Sequence, residues 1–161
     1  MRNYLAAFIV IILLVILGAI AIGGSNTNPS YSQKDPNKPI AQVNEKSFNL
    51  GDMNVNDTKA YDFSITNTGK KDLTLNRIST SCDCTFAKII KADGTESPNL
   101  TMNSANQWQT SLKTGESAKL RVTYKPSIMP LEGLVDRYAT VATNDPDNPK
   151  LEFKVSAKVS K

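Results

Sequence analysis

The chain has 161 residues, 19 of them basic and 15 acidic, for a net charge of +4, with two cysteines and no histidine. That length gives one domain with short additions, and the charges are dispersed without a basic cluster, so no nucleic-acid partner is expected. The missing histidine removes the commonest general base, the commonest metal ligand and the partner of most serine and cysteine nucleophiles, so neither an enzyme nor a bound cofactor is expected.

Leu5 to Ile22, LAAFIVIILLVILGAIAI, is uncharged and almost wholly apolar. As a helix it spans about 27 Å at ~1.5 Å per residue, close to the ~30 Å hydrocarbon core of a bilayer. It exceeds the ~7–15 apolar residues of a signal peptide, so residues 1–22 are expected to be a retained signal anchor, a single transmembrane helix. Cleavage at Ala19-Ile20-Ala21 is the alternative. Arg2 and the free amine precede the run, and the next charge beyond it is Lys34. The positive-inside rule then leaves the N-terminus in the cytoplasm and the rest extracytoplasmic, at the cell surface or in the periplasm. Gly23 to Pro39, GGSNTNPSYSQKDPNKP, is too polar for a core and reads as a flexible linker, with a reach of about 23 Å.

From Ile40 to Lys161 no helical period recurs, but period-two alternation does. Phe48 and Leu50 make a short strand before a turn at Gly51-Asp52. Tyr61, Phe63 and Ile65 alternate with polar residues up to Asn67-Thr68-Gly69, which turns the chain. Leu73 and Leu75 begin another strand, and the phase slips by one at Arg77-Ile78, the mark of a bulge. Phe86 to Ile90 is a further apolar run. Lys91 to Leu112 is polar and long for a loop, and Asp93-Gly94 suggests that it holds an extra hairpin returning Trp108 to the body. Alternation resumes at Ala118, Leu120, Val122 and Tyr124, after a turn at Thr114-Gly115-Glu116. A strand over Tyr138 to Thr143 precedes the turn Asn144 to Pro149, and Leu151 to Val159 closes the chain. About seven short strands with turns between them indicate an all-β, immunoglobulin-like antiparallel sandwich.

Four segments resemble a known family. Phe63-Ser64-Ile65-Thr66-Asn67-Thr68-Gly69 resembles the F-x-x-x-N-x-G strand and turn of the DUF1573 family, and Ser81-Cys82-Asp83-Cys84-Thr85 its S-C-G-C-T signature. Thr114 to Ser117 resembles its P-G-E-S turn, and Thr143 to Pro146 its T-N-D-P. All four fall in the family's order, across roughly Phe48 to Lys161. The resemblance implies a bacterial, exported, immunoglobulin-like sandwich without an established activity, similar in shape to the ASH and major-sperm-protein interaction modules. Asp83 replaces the usual Gly, and Lys91 to Leu112 is longer than the family pattern.

Four readings of Cys82 and Cys84 stand open. They are small, packed or reduced residues at a strand end. Or they form a local disulfide: an i,i+2 pair lies at most ~7 Å apart between Cα atoms, so the loop must bend at Asp83 to bring them within disulfide range, and such a bond is of the labile, redox-active kind. Or they hold a soft metal such as Cu(I), with Met102 or Met129. Or they bond to another molecule. Asp145 and Asp147 match calcium ligands less well than carboxylates capping their own turn. Trp108, core by type, is also the best single binding anchor because it sits on a polar loop, and Asp83 joins it as a binding residue. The leading expectation is a membrane-tethered binding or structural module for a protein or envelope component. The alternative is thiol-redox or Cu(I) handling through Cys82-Asp83-Cys84.

Overall fold

The computed structural model describes residues 30–105 and 108–161. The expected anchor, residues 1–22, lies outside them; among the described residues no helix is long and apolar enough to cross a membrane. Among the described residues nine strands form: β1 (Ala41–Val43), β2 (Ser47–Asn54), β3 (Lys59–Asn67), β4 (Leu73–Thr80), β5 (Thr85–Lys91), β6 (Thr110–Leu112), β7 (Ser117–Tyr124), β8 (Gly133–Thr143) and β9 (Lys150–Ser160). They build a sandwich of a four-stranded sheet, β1-β3-β7-β5, on a five-stranded one, β2-β9-β8-β4-β6. The all-β sandwich expected from the alternation is present.

Three expectations are corrected. There are nine strands, because the three-residue β1 and β6 are too short to show a period. The sandwich is also not wholly antiparallel: β2 runs parallel to β9. A parallel neighbour cannot be joined by a hairpin, so the pairing leaves no local mark in the sequence.

Gly51-Asp52 is likewise no turn. The strand runs through it, with Gly51 in the left-handed region at φ 74° and the β2–β9 register shifting between Asn49 and Asp52. Leu50 and Met53 are both buried. Inward residues three apart in a strand require one extra residue, which is a bulge. The same spacing recurs in β4, where Leu75 and Ile78 are both fully buried. There the register shifts between Asn76 and Ser79, and Arg77 takes φ 45°. The slip expected at Arg77-Ile78 is therefore real.

Phe63, Ile65, Leu120 and Val122 face Leu75, Val141, Phe153 and Val155 across the sandwich, all at most 1% exposed. An aromatic ladder closes one side: Phe48 stacks on Tyr61 at 3.6 Å, Tyr61 meets Phe63 edge-on at 4.9 Å, and Phe63 meets Phe153 at 5.1 Å. Glu45 accepts a hydrogen bond from the Tyr61 hydroxyl, which raises that phenol above its ordinary pKa.

The polar stretch after β5 is a hairpin at its start. It turns at Asp93-Gly94, and its return strand runs back along the free edge of β5, bridging Ile90 to Glu96 and Ala87 to Leu100. Ala87 and Leu100 exchange both backbone hydrogen bonds at 2.8 Å. The insertion thus covers an edge that would otherwise pair with another chain. Asp93 accepts from the Thr95 amide, which lowers its carboxyl pKa.

One pole of the sandwich receives the chain as it enters from the N-terminal side. Gln33 donates to the Pro146 carbonyl at 3.3 Å, Lys38 pairs with Asp147, and Pro39 is buried. The end of the polar stretch read as linker is thus folded onto the domain, held by its own Asx turn at Asp35 and by Lys38. Three motif residues meet there. Asn67 is fully buried; its Nδ2 donates to the carbonyls of Lys71 (2.8 Å) and Leu112 (2.9 Å), and its Oδ1 accepts from the amides of Gly69 (3.0 Å) and, weakly, Ile40 (3.4 Å). A Cβ on Gly69 would collide with the backbone of Lys38 and Ile40. Asp145, 1% exposed, accepts from the amides of Ala41 and Asp147 at 2.9 Å and from the Asn148 side chain at 3.0 Å. The N-x-G and T-N-D-P motifs are therefore the fastener of this pole.

Candidate functional site

The opposite pole carries the cysteines. β4 ends at Thr80 and β5 begins at Thr85, and the four residues between them turn from one sheet to the other. Thr80, buried, points its hydroxyl at the carbonyls of Cys82 and Thr85, both at 2.9 Å. The Thr85 amide donates to the Cys82 carbonyl at 3.2 Å, and the Lys125 amide to the Cys84 carbonyl at 2.9 Å. Ser81 and Tyr138 exchange two further hydrogen bonds, from the Ser81 amide (2.9 Å) and to the Ser81 hydroxyl (3.0 Å). The loop is thus held by its backbone at both ends, which the expected bend at Asp83 requires.

Cys82 and Cys84 are joined as a disulfide, with their Cα atoms 5.2 Å apart. The two sulfurs differ in access. Cys84 is fully buried in the core, whereas Cys82 is half-buried at its margin. Thr85 is also fully buried, and its hydroxyl lies 3.3 Å from Cys82 Sγ and 3.9 Å from Cys84 Sγ. Asp83 between them is exposed. In this bonded form neither sulfur is a thiolate, the species a soft metal needs. Met102 and Met129 are exposed, and among the described residues no cluster of three or more His, Cys, Asp or Glu is placed to hold a metal.

Beside this loop lies a surface that sequence reasoning passed over. After β7 the chain makes a single 3-10 turn, Pro126–Ile128, and then runs to β8. Ile128 is 43% exposed, Met129 52%, Leu131 51% and Leu134 87%. Large apolar side chains this exposed and this close together are unusual on a monomer. A cavity of about 480 Å³ opens there, lined by Val55, Asn56, Ser127, Pro130, Leu131, Glu132 and Lys161. The signal was the composition of SIMPLEGL, apolar yet without a period.

Arg137 was also missed. It falls in phase with Val135, Ala139 and Val141, all buried, so a charged side chain takes an inward position. Its guanidinium stacks over the Tyr124 ring at 5.2 Å, a cation–π contact across the two sheets. Trp108 precedes β6, is half-buried and packs against the core. Within that packing its ring is part of the wall, and no hydrogen bond or ring stacking joins it to the cysteine loop among the described residues.

The HYDIN/CFA65/VesB-like, Ig-like domain family matches residues 39–157. No curated protein matches the chain. Among solved structures the chain is similar to a protein of unknown function from Porphyromonas gingivalis W83, at 20% identity over 76% of this chain and 48% of that one, with a TM-score of 0.57. The chain thus spans about half the length of that protein. It is similar also to the ASH/PapD-like domain 7 of human CEP192, at 14% identity over 85% of this chain and 96% of that one, with a TM-score of 0.52. Both likenesses are of fold. The match over residues 39–157 shows that the chain belongs to the HYDIN/CFA65/VesB-like family of Ig-like domains.

Proposed function

We propose that the chain is a binding module of the DUF1573 type, tethered through residues 1–22 to a bacterial membrane, held extracytoplasmic, and docking a protein partner at the pole that carries the cysteine loop. The observation that carries this reading is the position of the exposed residues Ile128, Met129, Leu131 and Leu134. They sit at the pole opposite the one where Lys38 and Pro39 join the domain. A tether at one pole turns the other away from the anchoring membrane. Glu132 and Lys161 edge the patch. Mixed charge around an apolar centre suits a protein interface and does not suit an anionic lipid surface. The Ig-like family and the ASH-like likeness support a binding role, because this sandwich offers exposed faces and loops for contact.

The test is photocrosslinking in cells from a probe at Leu131 of the full chain. A discrete protein adduct is expected that is lost in an Ile128→Ser, Met129→Ser variant and competed away by excess soluble domain. The same probe at Gln42, on the far side, is expected to give none. Equal yields from both positions, or lipid adducts alone, would overturn the docking site. Protease added to intact spheroplasts is expected to digest the domain; protection would overturn the orientation.

A further inference from the structure

We propose that Cys82–Cys84 is a thiol-exchange site of fixed polarity, served by a dithiol reductant: the incoming thiolate attacks Cys82, and Cys84 is the leaving sulfur. This does not rest on the docking reading above. Three features of the loop carry it.

Access sets the point of attack. Exchange requires a thiolate to approach one sulfur in line with the S–S bond. Cys84 is fully buried, which closes its sulfur to solvent, and Cys82 reaches the margin of the core, so attack falls to Cys82. Stabilisation of the leaving sulfur is the second feature. A thiolate on Cys84 would form in an apolar surrounding, which by itself opposes its charge. The buried Thr85 hydroxyl is 3.9 Å from that sulfur and 3.3 Å from Cys82, and the two sulfurs are its hydrogen-bond neighbours. When the bond breaks, the hydroxyl can turn its proton to whichever sulfur carries the charge. The third feature is the backbone frame. Thr80, Lys125 and Tyr138 hold the loop through hydrogen bonds that do not involve the sulfurs, so the two thiols stay in register after reduction.

The exchange balances in two steps. A thiolate of the dithiol forms a bond to Cys82 Sγ, the Cys82–Cys84 bond breaks, and Cys84 takes the electron pair and then a proton. The second thiolate of the reductant then attacks its own sulfur in the mixed disulfide, releasing Cys82 as a thiolate that is protonated. The reductant leaves as a disulfide, oxidised by two electrons, and the protein holds two thiols. The reverse sequence reoxidises it.

The experiment uses the full chain in detergent micelles, with reduced glutathione as a monothiol probe whose first mixed disulfide is trapped by rapid alkylation of the freed thiol, before a second thiol or reclosure removes it. Samples are quenched by alkylation and mapped by peptide mass. The expected result is glutathione on Cys82 and alkylation on Cys84, in at least about tenfold excess over the opposite pattern. With dithiothreitol, Thr85→Val is expected to slow reduction by about tenfold or more, the size of one hydrogen bond to a charged group, and Thr85→Ser to restore it. Glutathione on Cys84, an even mixture, or no reaction of the native chain at millimolar thiol would overturn the proposal. So would an unchanged rate in a Thr85→Val variant that keeps the parent's urea midpoint. The mapping on the unaltered chain decides the polarity even if that variant fails to fold.

Discussion

Replacing Asn67 by Ala tests whether the N-x-G motif is a structural fastener. The side chain is fully buried. Its removal strips partners from the carbonyls of Lys71 and Leu112 and from the Gly69 amide, which are bonded at 2.8, 2.9 and 3.0 Å. A buried group left without its partner costs about 1–3 kcal/mol, and water reaching the pole recovers part of that. The loss comes to about 4 kcal/mol, a large share of the ~5–15 kcal/mol that holds a small domain folded. Urea unfolding followed by the fluorescence of Trp108, the single tryptophan, measures it directly. With m of about 1–2 kcal/mol per molar, the midpoint falls by about 2–4 M. Asn67→Asp keeps the acceptor but loses both donors and sets a charge against two carbonyls, so it is expected to do no better than Ala. A loss under about 1 kcal/mol at unchanged m would refute the assignment.

Gly69→Ala places a methyl group against the backbone of Lys38 and Ile40, so a loss of about 2–3 kcal/mol is expected in the same assay. Asp145→Ala removes the acceptor for the Ala41 and Asp147 amides and the Asn148 side chain. It is expected to cost about 3 kcal/mol and to speed amide exchange at Ala41 above that at Ile65. The Asp62 carboxyl is held below its ordinary pKa, chiefly by the hydrogen bonds from Arg121 at 2.7 and 2.9 Å, with Lys119 adding to the effect at 3.7 Å. A depressed folded pKa gives stability that is full above the unfolded value of about 4 and is lost as pH falls through the folded value. Asp62→Asn is therefore expected to flatten the acid limb of a stability–pH curve below about pH 4, by less than about 1 kcal/mol for so exposed a pair. An unchanged slope there would refute it.

What was legible in the sequence follows from what is local. The alternation of Phe63 and Ile65, or of Leu120 and Val122, is set by the strand's own pleat, so it shows wherever one face is buried. The slip at Arg77 was visible for the same reason, since a bulge moves apolar residues from two apart to three. The identical spacing of Leu50 and Met53 was hidden by Gly51-Asp52, whose chemistry is that of a turn until a strand pairs beside it. Partner choice was not legible: β2 lies against β9, about a hundred residues away. At the candidate site, the closeness of the two cysteines was legible in their spacing. Their unequal burial was not, because it depends on which side of the corner meets the core. The apolar pole escaped notice because Ile128, Met129 and Leu131 have no period to announce them.

The place of β9 also governs when this domain can exist at all. It lies between β2 and β8, yet it is synthesised after every other strand. Until it emerges, β2 has no neighbour in its sheet and β8 lacks one of its two. A nascent chain therefore cannot complete the five-stranded sheet by accretion from its N-terminal side. Until then Leu50, Met53 and the face of β8 stay open to any holdase or protease the chain meets. Folding then becomes a single late event with distant contacts, slow by its topology and vulnerable to aggregation meanwhile. Delivery of the intact chain, more than any one contact within it, sets the yield of the native module.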